Sequence, residues 1–163
     1  MTNETLAQEL IAMTDRDREL QQGDDPAARL AHRRVTVRNA ERLAEILADH
    51  GWPAITEVGA EAARRAWLIA QHADRQLDLQ RTALELMTRA AETGEAEPQH
   101  LAMLRDRVLV NEGRPQVYGT QIAGVVDGAP VSWPCEDPER MDERRAGVGL
   151  APFAEHVARH APR

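Results

Sequence analysis

The stretch Gly59-Ala60-Glu61-Ala62-Ala63-Arg64-Arg65-Ala66-Trp67-Leu68-Ile69-Ala70-Gln71-His72-Ala73-Asp74-Arg75-Gln76-Leu77 opens the longest helical pattern of the chain, which runs on to Thr93 and stops at Gly94. Ala63, Ala66, Ala70, Ala73 and Leu77 recur at spacings of three and four, the period of one line along an α-helix. The polar run Gln71-His72-Ala73-Asp74 interrupts that line. Either one helix bends near Asp74, or Asp74 caps a new helix; the pattern accommodates both. On a continuous helix Trp67, Gln71 and Asp74 share one side, while Leu68 and His72 flank the other edge. Further on, Gln80 interrupts the face formed by Leu77, Leu84 and Met87 and needs a hydrogen-bond partner if buried.

Helical period also governs the flanks. Leu6, Leu10 and Met13 mark a first helix that Gly23-Asp24-Asp25-Pro26 ends. Asp25 suits the N-cap and Pro26 the first turn of a second helix, carrying Leu30, Val37, Leu43, Ile46 and Leu47 up to His50-Gly51. Gly51-Trp52-Pro53 turns the chain. Pro98 opens a further helix through Leu101, Leu104, Val108 and Leu109 to Gly113. Gln116 to Val126 then reads as a strand, Asp127-Gly128 as a hairpin turn and Ala129 to Trp133 as the returning strand. Asp137-Pro138 begins a short helix, and another follows Pro152. With no repeat and no low-complexity linker, the expectation is a mainly α protein: one helical-bundle domain over residues 1–163 with a small β-hairpin near residues 116–133.

Composition narrows the chemistry. All 20 basic residues are arginine. Without lysine there is no Schiff-base nucleophile and no Walker-type phosphate loop. A formal charge of -7 and 3% aromatic residues argue against nucleic acid as partner. Cys135, the single cysteine, allows no internal disulfide, and the first twenty residues carry acids and no apolar run, so the expected setting is the cytoplasm with no membrane partner. Ser132 is the only serine and lies in no Gly-x-Ser-x-Gly elbow.

The polar residues of the two interrupted patterns are the candidate site. His72 is the acid or base, because imidazole exchanges protons near neutral pH. Asp74, two residues away, would face elsewhere on a regular helix, which makes Asp106 the better orienting partner. Tyr118 is a candidate donor to developing negative charge, on a strand where Gly119 leaves room for close approach. Gln71, Asp74, Gln80, Arg107, Gln121 and Arg145 are candidate substrate-binding groups, the arginines for a carboxylate. Taken one at a time, each has a plainer role as an interhelical hydrogen bond, a core tyrosine or a solvated charge run. His32, His50, His72, His100, His156 and His160 form no His-Glu-x-x-His motif, so no metal is assigned.

The ordered series Gly51-Trp52-Pro53, Gly59, Trp67, Gln71-His72-Ala73-Asp74, Gln80, Asp106-Arg107, Gly113, Gln116, Tyr118-Gly119-Thr120-Gln121, Asp137-Pro138, Arg144-Arg145 and Gly149-Leu150 resembles a bacterial family of short proteins, frequent in actinobacteria, catalogued as a domain of unknown function. That resemblance brings no activity or cofactor. It implies that the polar clusters belong to one shared pattern, and so to a common site. The expectation is a small cytoplasmic enzyme without cofactor, performing a cyclisation, dehydration or hydrolysis on a polar small molecule, in specialised metabolism. Two alternatives stand beside it: a noncatalytic ligand-sensing or protein-interaction module, and a metal-dependent enzyme using His72 and nearby carboxylates. Oligomeric state is not specified by the sequence.

Overall fold

The computed structural model of the protein describes residues 1–162. Mainly helical structure with one small hairpin is what it shows, divided into two compact units, Met1–Ala96 and the chain from Glu97 onward. No helix among the described residues is long and apolar enough to cross a membrane.

The first unit is built from α1 (Asn3–Gln21), α2 (Pro26–His50), α3 (Ile55–Val58), α4 (Ala60–His72) and α5 (Leu77–Glu92). Thr2 and Asp25 cap α1 and α2 by accepting hydrogen bonds from the backbone N–H of Thr5 and Ala28, and Pro26 occupies the first turn of α2 as its sequence requires. Leu6 and Leu10 of α1, Leu43, Ile46 and Leu47 of α2, and Ala62, Ala66, Ile69 and Ala70 of α4 are buried together with Trp52. The alanines of α4 leave little side chain between helix backbones, so α1 and α2 both pack closely on it. Polar contacts fix the registers. Arg42 of α2 grips Glu9 of α1 through Nε and Nη2 (2.6 and 3.1 Å), and buried Arg65 of α4 reaches Thr14 and Asp15 of α1 (2.9 Å each).

The long pattern at residues 59–93 is two helices. Ala73 leaves helical geometry (φ -83°, ψ 42°), and the residue at the N-cap position of α5 is Gln76, which makes no side-chain cap, while Asp74 sits exposed in the turn between the helices.

The second unit contains α6 (Pro98–Asn111), β1 (Ile122–Val126), β2 (Ala129–Ser132), a 3₁₀ turn (Pro138–Arg140), α7 (Met141–Gly147) and α8 (Phe153–Arg159). The strands pair antiparallel across Asp127-Gly128, both at positive φ, with an irregularity between Ile122 and Gly124. The first strand is shorter than the sequence suggests. Residues 116–121 form a folded loop, because Gly119 turns through φ +66° and the backbone N–H groups around it converge on one carboxylate. A strand, whose N–H groups alternate in direction, could not deliver them to one point.

Gly119 is also pressed from outside. A Cβ at this position would run into Met141 Sδ and meet the Phe153 ring carbons at 3.1 Å. Gly119→Ala is therefore expected to destabilise the second unit by about 2–3 kcal/mol, strain and crowding adding. A chemical denaturation midpoint equal to the parent's would contradict that.

Candidate functional site

Gln80 sets the geometry of the α4–α5 turn. Fully buried on α5, its Nε2 donates to the Ala70 carbonyl (3.1 Å), with the Gln71 carbonyl (3.5 Å) and Asp74 Oδ1 (3.4 Å) at the edge of reach. Carbonyls in the last turn of a helix lack intrahelical partners, so this side chain closes the end of α4. It thereby fixes His72, the final residue of α4.

From that position His72 meets α1. Its Nδ1 lies 3.2 Å from Oδ2 of Asp17, a buried carboxylate 55 residues earlier in the chain. The other oxygen of Asp17 accepts from Thr36 Oγ1 (3.3 Å) and lies 2.9 Å from His32 Nε2, at ion-pair distance but without hydrogen-bond alignment. One carboxylate thus joins α1, α2 and α4. Burial alone would raise the Asp17 pKa; the hydrogen bond from His72, the charges of His72 and His32 and the Thr36 hydroxyl outweigh it and hold the pKa below the usual carboxylate value. An ionised Asp17 fixes the His72 tautomer with the proton on Nδ1, which leaves Nε2 as a bare base.

His72 is 39% exposed at the side chain. It lines a cavity of about 160 Å³ together with His32, Arg33, Thr36, Val37, Asp74, Arg75 and Gln76. A half-exposed ring held at one nitrogen by a buried carboxylate, and itself lining a cavity, has the parts of a general acid–base group.

The second unit has a different kind of polar centre. Asp106, fully buried on α6, accepts from the backbone N–H groups of Val117 (2.8 Å), Tyr118 (3.0 Å) and Thr120 (2.9 Å) and from Thr120 Oγ1 (2.8 Å). Gln116, also fully buried, donates to the carbonyls of Gln121 and Trp133 and to Ser132 Oγ, while its Oε1 accepts from the Gln121 N–H. Gln121 in turn donates to Thr120 Oγ1 and accepts from Arg107 Nη1 (both 3.0 Å). Arg145 is buried and donates to the carbonyls of Ala151 (2.6 Å) and Tyr118 (2.7 Å), its guanidinium 6.0 Å from the Phe153 ring centre. His156 closes the loop from α8, with Nε2 3.0 Å from the Thr120 carbonyl. Burial, aided by the positive Arg145, His160 and Arg159, lowers its pKa despite that carbonyl. This is a satisfied network, in which the polar groups hold the loop.

The residues singled out in the sequence therefore fall into two groups. His72, Gln71, Asp74 and Gln80 belong to the first unit, where His72 and Asp74 line the cavity and Gln80 holds the turn. Asp106, Arg107, Tyr118, Gln121 and Arg145 belong to the second, where Asp106, Gln121 and Arg145 are engaged with the 116–121 loop and half-buried Tyr118 contributes its backbone. The carboxylate at His72 is Asp17, a residue the motif reading missed, as it missed His32 and Thr36. A signal was present: Leu6, Leu10, Thr14 and Asp17 are the buried positions of α1, so Thr14 and Asp17 continue an apolar stripe with polar side chains. Among the described residues no group of three or more His, Cys, Asp or Glu side chains is arranged to hold a metal ion.

Residues 4–160 match the model of the Family of unknown function (DUF6624), and the chain belongs to that family. No curated protein and no solved structure gives a significant match.

Proposed function

We propose that this member of the family is a small-molecule enzyme in which His72 acts as general acid and base, oriented by Asp17. The observation that carries the reading is the pairing of His72 Nδ1 with a buried carboxylate beneath a cavity that the same ring lines. Nε2 would take a proton from the bound substrate and return it to the product. Asp17 Oδ2 would stabilise the imidazolium in between, as carboxylate–imidazole pairs do. Asp74 and Gln76, at the cavity wall, are placed to hydrogen-bond a polar substrate. Cyclisation, dehydration and hydrolysis can each run on such a proton relay without an organic cofactor. The single cysteine favours a reducing compartment, and we place the enzyme in the cytoplasm.

The test is turnover of a pooled polar metabolite extract, followed by mass spectrometry. Wild-type protein should deplete at least one component and generate a product; folded His72→Ala should do so about 10²–10⁴-fold more slowly. Equal depletion by the variant would refute the role of His72. Saturable binding without depletion by either protein would favour a noncatalytic ligand sensor.

A further inference from the structure

The cavity beside His72 continues into an open groove on the outer face of α2. Arg33, Val37 and Arg75 line both, and Leu30, Arg34, Arg38 and Glu41 complete the groove. In a chain of formal charge -7, this is a local excess of positive charge: four arginines against one glutamate. None of Arg33, Arg34, Arg38 and Arg75 has an ion-pair or hydrogen-bond partner among the described residues. Elsewhere in the same unit Arg16, Arg42, Arg64, Arg65, Arg81 and Arg89 are each engaged with a carboxylate, while Arg18 and Arg29, like the groove arginines, have no such partner among the described residues. What sets the groove apart is that four uncommitted arginines gather where the cavity opens, with Arg33 and Arg75 at the boundary between the two spaces.

Guanidinium groups recognise carboxylate and phosphoryl oxygens through paired, charge-assisted hydrogen bonds. We infer that the ligand of this site is a small organic anion, whose carboxylate or phosphoryl group is held at the boundary by Arg33 and Arg75 while its reacting polar part lies in the cavity beside His72. Val37 and exposed Leu30 offer an apolar wall to the remainder of the molecule, and Arg34 and Arg38 favour a second negative charge farther along the groove. This assignment rests on the acid–base reading for which end of the ligand reacts. The anion site itself stands on the arginines.

The experiment is an NMR titration of the full chain with inorganic phosphate and, separately, with succinate, at ionic strength held constant with chloride. Saturable shifts of the His72 and His32 ring protons are expected with at least one probe. Arg33→Gln/Arg75→Gln should weaken that binding at least about tenfold. The control Arg81→Gln/Arg89→Gln, with the same charge change on α5, should bind as the parent does. Both substituted arginines at the boundary are exposed, so the fold should survive. Three results overturn the inference: no saturable shift with either probe, equal affinity in the Arg33/Arg75 variant, or saturable binding only of a long single-stranded oligonucleotide. The two readings fail separately. Anion binding without His72-dependent turnover leaves the anion site and removes the catalyst; His72-dependent turnover with an unchanged KM in the Arg33/Arg75 variant does the reverse.

Discussion

Asp106→Ala is expected to destabilise the second unit by about 4 kcal/mol or more, because it strips the acceptor from three backbone N–H groups and one hydroxyl, each costing roughly 1–3 kcal/mol when buried unpaired. Arg145, whose charge is favoured by Asp142 and then by Asp106, keeps the first and loses the second. Against a typical domain stability of about 5–15 kcal/mol, such a loss leaves the unit marginal or unfolded. Asp106→Asn keeps the shape but turns an amide donor toward N–H donors, and should recover only part of the deficit. Amide hydrogen exchange at Val117, Tyr118 and Thr120 reports the effect at its origin. Parent-like protection there in Asp106→Ala would show that the carboxylate does not organise the loop.

Asp17→Ala is expected to have two effects at once. It leaves the Thr36 hydroxyl without one of its partners, removes the acceptor from His72 and so loses one of the polar ties of α1 to α2 and α4, for about 2–3 kcal/mol. If His72 is the catalyst, it also lowers turnover by about 10²–10⁴-fold, since an unoriented imidazole is a poor relay. Asp17→Asn separates the effects, keeping the volume while removing the charge. The stability that Asp17 contributes has a definite pH dependence. Its pKa is lowered in the folded protein, so the contribution is complete above the unfolded carboxylate value near ~4 and is lost as pH falls through the lower folded value. Parent-like stability and turnover in Asp17→Ala would remove both roles.

Local chemistry explains how much of this was legible in the sequence. Capping and proline signals at Asp25-Pro26 and Pro98, and the Asp127-Gly128 turn, act within a few residues, and the structure follows them. The 59–93 pattern left one helix or two open, since the end of α4 is made by Gln80 reaching back ten residues, a contact without local periodicity. Gln116 to Gln121 resembled a strand because its residue types suit one. Gly119 and the distant Asp106 decide otherwise. The choice of His72 as the reactive group came from its chemistry. Its partner came from packing, since only the folding of α1 against α4 brings Asp17 to it. The arginine groove is likewise assembled by the fold. Arg33, Arg34 and Arg38 lie in a stretch without acids, residues 26–40, but only the packed chain brings Arg75 beside them.

The central claim is that Asp17 fixes His72 with its proton on Nδ1 and presents Nε2 to the cavity. Heteronuclear NMR of the imidazole nitrogens, recorded at alkaline pH in the parent and in Asp17→Asn, tests it directly. The account predicts the Nδ1–H tautomer for neutral His72 in the parent and its loss in Asp17→Asn. An Nε2–H tautomer in the parent, or a tautomer unchanged by Asp17→Asn, would contradict it.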